Sequence, residues 1–336
     1  MSRFTYTEWV RLLTASVIVA LVTALVAATA VTAVRPAIPR DFPDPSILRD
    51  GDSYFAYSTE SAYGNSFWHV PAQRADDPTG EWSAVADALP DVPGWVARDA
   101  HGRANVTAPD VSRRGAGDYL LYFVARAAAQ NVLCVGAALA QTPTGPFRPL
   151  VNPLICQQGR VDSIDPQAFT DSDGKHYLLY TSGEHDASIW LQRVAEDGTT
   201  MIGERRTLIQ ADRPEEAHIV EAPSLVKRGT EYVLFYSGNA FNSGHYFVNY
   251  ATAPALSGSF VKHPGELLNR DSLADVYADP GGQSVLRDTE SDYISFHAST
   301  GPGERAMFVA GLSWTSAGQP VVEIRGVAGA ASRPAG

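Results

Sequence analysis

Cysteine is scarce in this chain: two in 336 residues, Cys134 and Cys156. Two thiols cannot build a four-thiolate zinc site, and no histidine pair stands near them at metal-binding spacing. No G-x-S-x-G, H-E-x-x-H or P-loop pattern occurs. Basic residues are outnumbered, 26 Lys and Arg against 37 Asp and Glu, and the formal charge of −11 argues against nucleic acid or an anionic membrane surface as partner. The excess of acid reads as solubility and names no substrate. Long segments with a 3.6-residue apolar period are also missing from the body of the chain, which excludes a helical bundle.

What is present is a globular composition, 45% hydrophobic and 19% charged, with material for one large domain or two ordinary ones. The N-terminus stands apart. Arg3 and Arg11 flank a short polar head, and Leu12 to Val34 then runs without a charge. That length suits a signal anchor or a long signal peptide, with small residues at Ala28–Ala30 for cleavage. A buried core helix is the alternative. The preceding positive charge places the remainder outside the cell. Residues 1–35 are therefore expected to be a signal or anchor, and 36–336 an exported domain, extracellular or tethered to the outer face of the membrane. Membrane contact would come only through the uncleaved segment. In an oxidising compartment Cys134 and Cys156 read as a structural disulfide, with two separately buried thiols as the alternative.

The exported region reads as all-β. A tyrosine-rich stretch returns five times: "YFAYST" at 54, "YLLYFV" at 119, "YLLYTS" at 177, "YVLFYS" at 232 and "YISFHA" at 293. Before each lies a shorter strand ending in a charged turn, the signature of a hairpin. A third element follows in "GAALAQTPTGPF" and "YATAPALSGSF". A repeat of this size with several strands per unit predicts a five-bladed β-propeller, with blade limits near 41–103, 104–160, 161–215, 216–272 and 273–327. A long solenoid or two β-sandwiches would give similar strands without one repeated unit.

The starts of the five first strands align on a proline: Asp44-Pro45, Ala108-Pro109, Asp165-Pro166 and Ala222-Pro223 preceded by Glu221, with Gly282-Gln283 in the fifth. Proline lacks an N–H and is tolerated at a strand's start. In a propeller those starts meet at one end of the central channel. Asp44, Asp165 and Glu221 thus converge from three blades, where burial and like charge push their pKa values apart. A proton donor beside an ionised carboxylate is the equipment of glycoside cleavage. A single Asp-Pro would be read as a turn. The aligned trio is not.

"FPDPSIL", "SIDPQAF", "VEAPSLVK" and the "APDV" of the second unit resemble the glycoside hydrolases of family 43, over roughly residues 40–300. The resemblance implies a five-bladed propeller acting on arabinose- and xylose-containing plant polysaccharides with inversion. It implies Asp44 as general base, Glu221 as general acid, and Asp165 as the carboxylate that orients the sugar and raises Glu221. An α-L-arabinofuranosidase is the leading activity, with β-xylosides and internal arabinan links next. No nucleic acid partner is implied, and the molecule is expected to be a monomer.

Two departures stand out. Thr107 replaces the tryptophan usual before "APD", and Gly282 replaces a channel histidine. No cofactor is required, and a structural calcium in the channel lacks its usual histidine. Phe42, Asn239, Asn242, Tyr246 and Gln283 are the candidate sugar contacts, the middle three in "NAFNSGHYFVNY", which can equally be an ordinary loop. His218 is either a rim residue or an ordinary surface histidine. "TDSDGKHY" begins like a calcium loop but lacks the later ligands, and reads as a hairpin turn. The competing readings are a non-catalytic sugar-binding propeller and a retaining enzyme of the invertase and levansucrase type. The latter's Asn-Asp-Pro-Asn-Gly and Arg-Asp-Pro stretches are absent.

Overall fold

The structure, a computed structural model, describes residues 34–324 apart from positions 116, 158 and 160. The apolar N-terminal run up to residue 33 lies outside the described residues. The described chain forms five four-stranded antiparallel sheets, each built in chain order from the axis outward. Their first strands are Ser46–Asp50, Val106–Arg113, Ser163–Thr170, Val220–Arg228 and Ala278–Leu286. Consecutive first strands touch, and the fifth touches the first, so the sheets close into a five-bladed propeller. All five fall inside the blade limits read from the repeat. One addition was not legible there, a short hairpin of Ser61–Tyr63 and Ser66–Trp68 in the first blade.

The tyrosine-rich stretches are the second strands, and their aromatics fill the spaces between blades. Tyr57, Tyr122, Tyr180 and Tyr236 are wholly buried, each burial being worth roughly 1.5–3 kcal/mol. Separate apolar clusters lie between blades one and two, two and three, three and four, and four and five. The fifth interface is the smallest: Ile38, Phe42, Ala56 and Met307 seal blade five against blade one. Here the two ends of the described residues meet. Ala37 N–H donates to Met307 O at 2.8 Å, on the same strand edge that pairs with Pro320–Glu323.

The aligned strand starts, four of them X-Pro, have a common backbone. Asp44, Ala108, Asp165, Ala222 and Gly282 all adopt positive φ, between 45° and 58°. For a residue with a Cβ this conformation costs about 1–2 kcal/mol, and it opens a one-residue bulge in the ladder of blades two, three and four. At four of the five junctions the N–H of that residue is caught by a side chain of the preceding blade. Asp44 donates to His297 Nδ1 (3.1 Å), Ala108 to Thr59 Oγ1 (3.0 Å), Ala222 to Asp165 Oδ2 (2.9 Å) and Gly282 to Ser237 Oγ (3.0 Å). One step further along each strand runs a second ring of ties. Val111, Ala168, Leu225 and Val285 donate their N–H groups to Ser46, Asp110, Gln167 and Ser224. The blades are thus stitched together where the channel opens.

Candidate active site

That mouth holds a pocket of about 250 Å³ lined by the starts of all five first strands. Asp44, Asp165 and Glu221 all face it, together with Tyr246, Phe241 and Arg305. The sequence therefore found the acids, and the fold brings them together. It missed the groups that set their charge.

Asp44 is the best-held carboxylate. Thr59 Oγ1 donates to its Oδ2 at 2.6 Å, and Arg305 Nη1 approaches its Oδ1 at 3.2 Å. Burial alone would raise this carboxyl, but the Arg305 charge first, with the hydrogen bond from Thr59 beside it, holds it well below the usual carboxylate range. Asp44 is ionised throughout the physiological range.

Glu221 is tuned the other way. Burial, with the Asp44 charge behind it, pushes its carboxyl up to about 7 against the pull of a 2.8 Å hydrogen bond from Tyr246 Oη and of the Arg305 charge. Asp165 is also raised well above its ordinary value, by burial first and then by Glu221 and Asp44, although it accepts the N–H of Ala222. Asp165 and Glu221 repel each other reciprocally and titrate as a pair. Three acids share one guanidinium, so the pair retains a proton near neutrality while Asp44 does not.

A fourth carboxyl, Asp110, lies at the second ring of ties, accepting Ala168 N–H at 2.8 Å, and burial raises it to about 6. Its place between blades two and three is that of a tie.

The candidate sugar contacts divide. Tyr246 and Gln283 line the pocket. Gln283 also ties blades four and five, accepting from Ser237 Oγ at 2.7 Å and donating to Ala222 O. Asn239 and Asn242 are not on its wall. Asn239 donates to Glu215 O at 3.0 Å and borders an adjoining groove with His245, and Asn242 is exposed on the loop. Phe42 must be corrected. Its N–H is bonded to Arg305 O at 2.8 Å, which turns the ring into the crevice between blades five and one, where it is wholly buried and cannot meet a sugar.

Phe241, inside the same quoted loop as Tyr246, is a further aromatic that reaches the pocket. It is 47% exposed, and Arg305 lies over its ring at 4.8 Å. An exposed aromatic in a polar loop was the available signal. Arg305, in "GERAMF", offered none beyond the need of three acids for a cation. His218 lies on the surface against Asp186, and "TDSDGKHY" is the turn between two strands of blade three. Thr107, at the tryptophan's place, lines the pocket. Cys134 and Cys156 are joined as a disulfide across 22 residues.

Among the described residues no three His, Cys, Asp or Glu side chains are grouped to hold a metal ion. At the place of the calcium's usual histidine Gly282 offers no side-chain ligand, and the His297 ring stands beside it.

Known proteins agree with this architecture. The family model for glycosyl hydrolases family 43 matches residues 33–320. The chain is 27% identical over 282 residues to the β-D-galactofuranosidase xynD of Aspergillus niger, covering 79% of this chain and 76% of the other. It is also 27% identical to the probable arabinan endo-1,5-α-L-arabinosidase A of Aspergillus flavus, covering 73% and 77%. Among solved structures, a thermostable family-43 glycoside hydrolase superposes with a TM-score of 0.72 at 21% identity, over 85% of this chain and 94% of that one. An endo-1,4-β-xylanase from Bacteroides thetaiotaomicron does so with a TM-score of 0.72 at 24% identity, over 87% and 98%. Sequence and fold converge on one conclusion: the chain belongs to the glycosyl hydrolases of family 43, O-glycoside hydrolases that act with inversion.

Proposed function

We propose that this enzyme is an exported α-L-arabinofuranosidase that releases arabinose units from arabinan- or arabinoxylan-type carbohydrate. The observation that carries the mechanism is the opposed tuning of two carboxyls in one pocket, Asp44 driven down and Glu221 pushed up to about 7. Asp44, already ionised, takes a proton from a water whose oxygen attacks the anomeric carbon. Glu221 gives its proton to the departing glycosidic oxygen on the opposite face. The products are an alcohol and a free sugar of inverted configuration. The two carboxyls end the cycle with their protons exchanged and reset through solvent. Asp165, fixed on Ala222 N–H and itself raised, shares the pair's proton with Glu221.

The furanoside preference is supported by the relatives, whose names include a galactofuranosidase, several arabinosidases and an exo-α-(1→5)-L-arabinofuranosidase of Cellvibrio japonicus. A pocket of about 250 Å³, below the roughly 300–1,000 Å³ usual for small-molecule sites, suits one end unit better than a threaded chain. Export is supported by the N-terminal apolar run and the disulfide.

The test offers wild type and Glu221→Gln a panel of 4-nitrophenyl arabinofuranosides and xylosides, arabinan and xylan, with the new anomer followed by proton NMR. Inverted arabinose from the wild type alone upholds the proposal. Release of xylose alone, or an unimpaired variant, overturns it.

A further inference from the structure

In the fifth blade the strand start carries a double glycine, Gly281-Gly282, where the others carry an acid or alanine beside proline. Backbone conformation does not explain Gly282. Its φ of 58° is matched at the same place by Ala108 (45°) and Ala222 (52°), so alanine is tolerated there in two other blades. Space does explain it. A Cβ on Gly282 would stand 2.6 Å from both Cε1 and Nδ1 of His297 and 2.9 Å from Asp44 Oδ1. A Cβ on Gly281 would overlap the ring of Tyr246. The two glycines face two rings, and those rings are stacked on each other, with centroids 5.9 Å apart and planes within 12°.

Each ring holds one of the two reacting carboxyls. Tyr246 Oη donates to Glu221 Oε1 at 2.8 Å. His297 Nδ1 accepts the N–H of Asp44 at 3.1 Å and lies 3.2 Å from its Oδ1. Both rings are buried. Burial, and then the Arg305 charge, keep His297 below the ordinary imidazole range, so the ring is neutral and Nδ1 is free to accept. Tyr246 is pinned from behind, where its N–H donates to Asp279 Oδ1 at 3.1 Å. Asp279 stands two residues before Gly281, so one short segment both anchors the tyrosine and clears room for it.

We infer that Gly281-Gly282 is a slot for the Tyr246–His297 stack, and that this stack sets the separation between Glu221 and Asp44. An inverting enzyme depends on that separation, because a water must fit between base and sugar. The inference rests on the acid and base roles proposed above. His297 is then a positioning residue, acting through the main chain of Asp44 and not on substrate. The slot also accounts for the missing channel histidine: the ring of His297 fills the space that a side chain at 282 would need.

The test is a double-mutant cycle in the full-length protein with Gly282→Ala, His297→Ala and both together. It is read in kcat and KM on the 4-nitrophenyl glycoside that the wild type turns over, and in urea unfolding. Gly282→Ala is expected to lower kcat by about a hundredfold, the scale for a misplacement of about 1 Å, with KM within about twofold. With alanine at 297 the clash with the ring is gone and only the 2.9 Å approach to Asp44 Oδ1 remains, so the same substitution then costs clearly less. His297→Asn, whose amide oxygen can accept the Asp44 N–H, should recover much of the kcat that His297→Leu loses.

Equal losses from Gly282→Ala in both backgrounds would overturn the slot. Variants that lower unfolding midpoints but keep wild-type kcat would reduce the stack to packing and overturn its positioning role. Asp44→Ala separates the two readings: if it stays active, the base assignment falls and the positioning claim with it. The coupling in unfolding free energy still decides whether the slot exists.

Discussion

Arg305 Nη1 reaches from the third strand of blade five to within 3.2 Å of Asp44 Oδ1 at the start of blade one, across the seam where the ring closes. One positive charge therefore serves three acids. It draws down Asp44 strongly, and it also opposes the rise of Glu221 and Asp165. Replacing it by methionine raises the pKa values of base and acid together. The acid limb of kcat/KM, which requires an ionised Asp44, moves to higher pH, and so does the alkaline limb set by Glu221 near 7. Arg305→Met should shift the whole bell upward with a lower maximum, while Arg305→Lys should keep most of the original limbs. pH profiles of kcat/KM decide it, and limbs that stay in place in the methionine variant would count against this account.

Phe241 makes a different kind of contribution. Its ring presents an apolar face to the pocket and is backed by the Arg305 guanidinium at 4.8 Å. The ring offers a sugar a stacking face that serves ground state and transition state alike. Phe241→Ala is expected to raise KM about two- to fivefold with kcat nearly unchanged. Steady-state kinetics distinguish this from a fall in kcat, which would place the ring in the chemistry.

Lys262 illustrates how charge is handled away from the pocket. Its ammonium is buried beside a wholly buried Glu216, at 2.7 and 2.8 Å from the two carboxylate oxygens, and it also meets Gln210 O and Asp212 Oδ1 at 2.6 Å. Lys262→Met strands the Glu216 carboxylate and should destabilise by about 3–5 kcal/mol in urea unfolding. Lys262→Met combined with Glu216→Leu should recover a large part of that loss. A double variant no better than the single one would mean that the remaining ties of Lys262 matter more than the pair.

The parts of this molecule that were legible in its sequence are those that repeat. Five tyrosine-rich strands mark five blades because every blade must bury the same face against its neighbour. Asp44, Asp165 and Glu221 could be aligned because the two aspartates stand directly before a proline at the same step of their blades and Glu221 one residue further back. Arg305, His297, Thr59 and Phe241 occur once each, on second or third strands or in a loop, and nothing in local spacing points from them to the channel. Phe42 was misplaced for a related reason: proximity to Asp44 in the chain says nothing about which way a ring turns. The left-handed backbone at the X-Pro starts was hidden as well, since a residue before proline is ordinarily extended and only the inter-blade hydrogen bonds show why it is not.

The Cys134–Cys156 bond ties the third strand of blade two to the segment leading into blade three. Closing a loop of 22 residues restricts the unfolded chain by about 3 kcal/mol in the chain-entropy view. Cys156→Ser should lower the melting temperature and leave kcat intact, and reductant should act on the wild type in the same direction while sparing the variant. A variant with unchanged melting would show that the bond adds nothing to stability.

Glu221 ties activity to stability through its proton. In the unfolded chain this carboxyl ionises at its ordinary value of 4.5, whereas in the folded protein it is raised to about 7. Below 4.5 both states carry the proton, and the residue is neutral in its effect. As pH rises from there, the unfolded chain releases its proton while the folded protein keeps it, so stability falls until the folded carboxyl also ionises near 7. Glutamine cannot ionise and escapes this loss. Glu221→Gln should therefore melt with the wild type at pH 4 but several degrees above it at pH 8, while being inactive at both. Melting curves at the two pH values give the answer, and a variant that is less stable at pH 8 would mean that the Glu221 environment favours the charged form, which would remove its claim to be the acid.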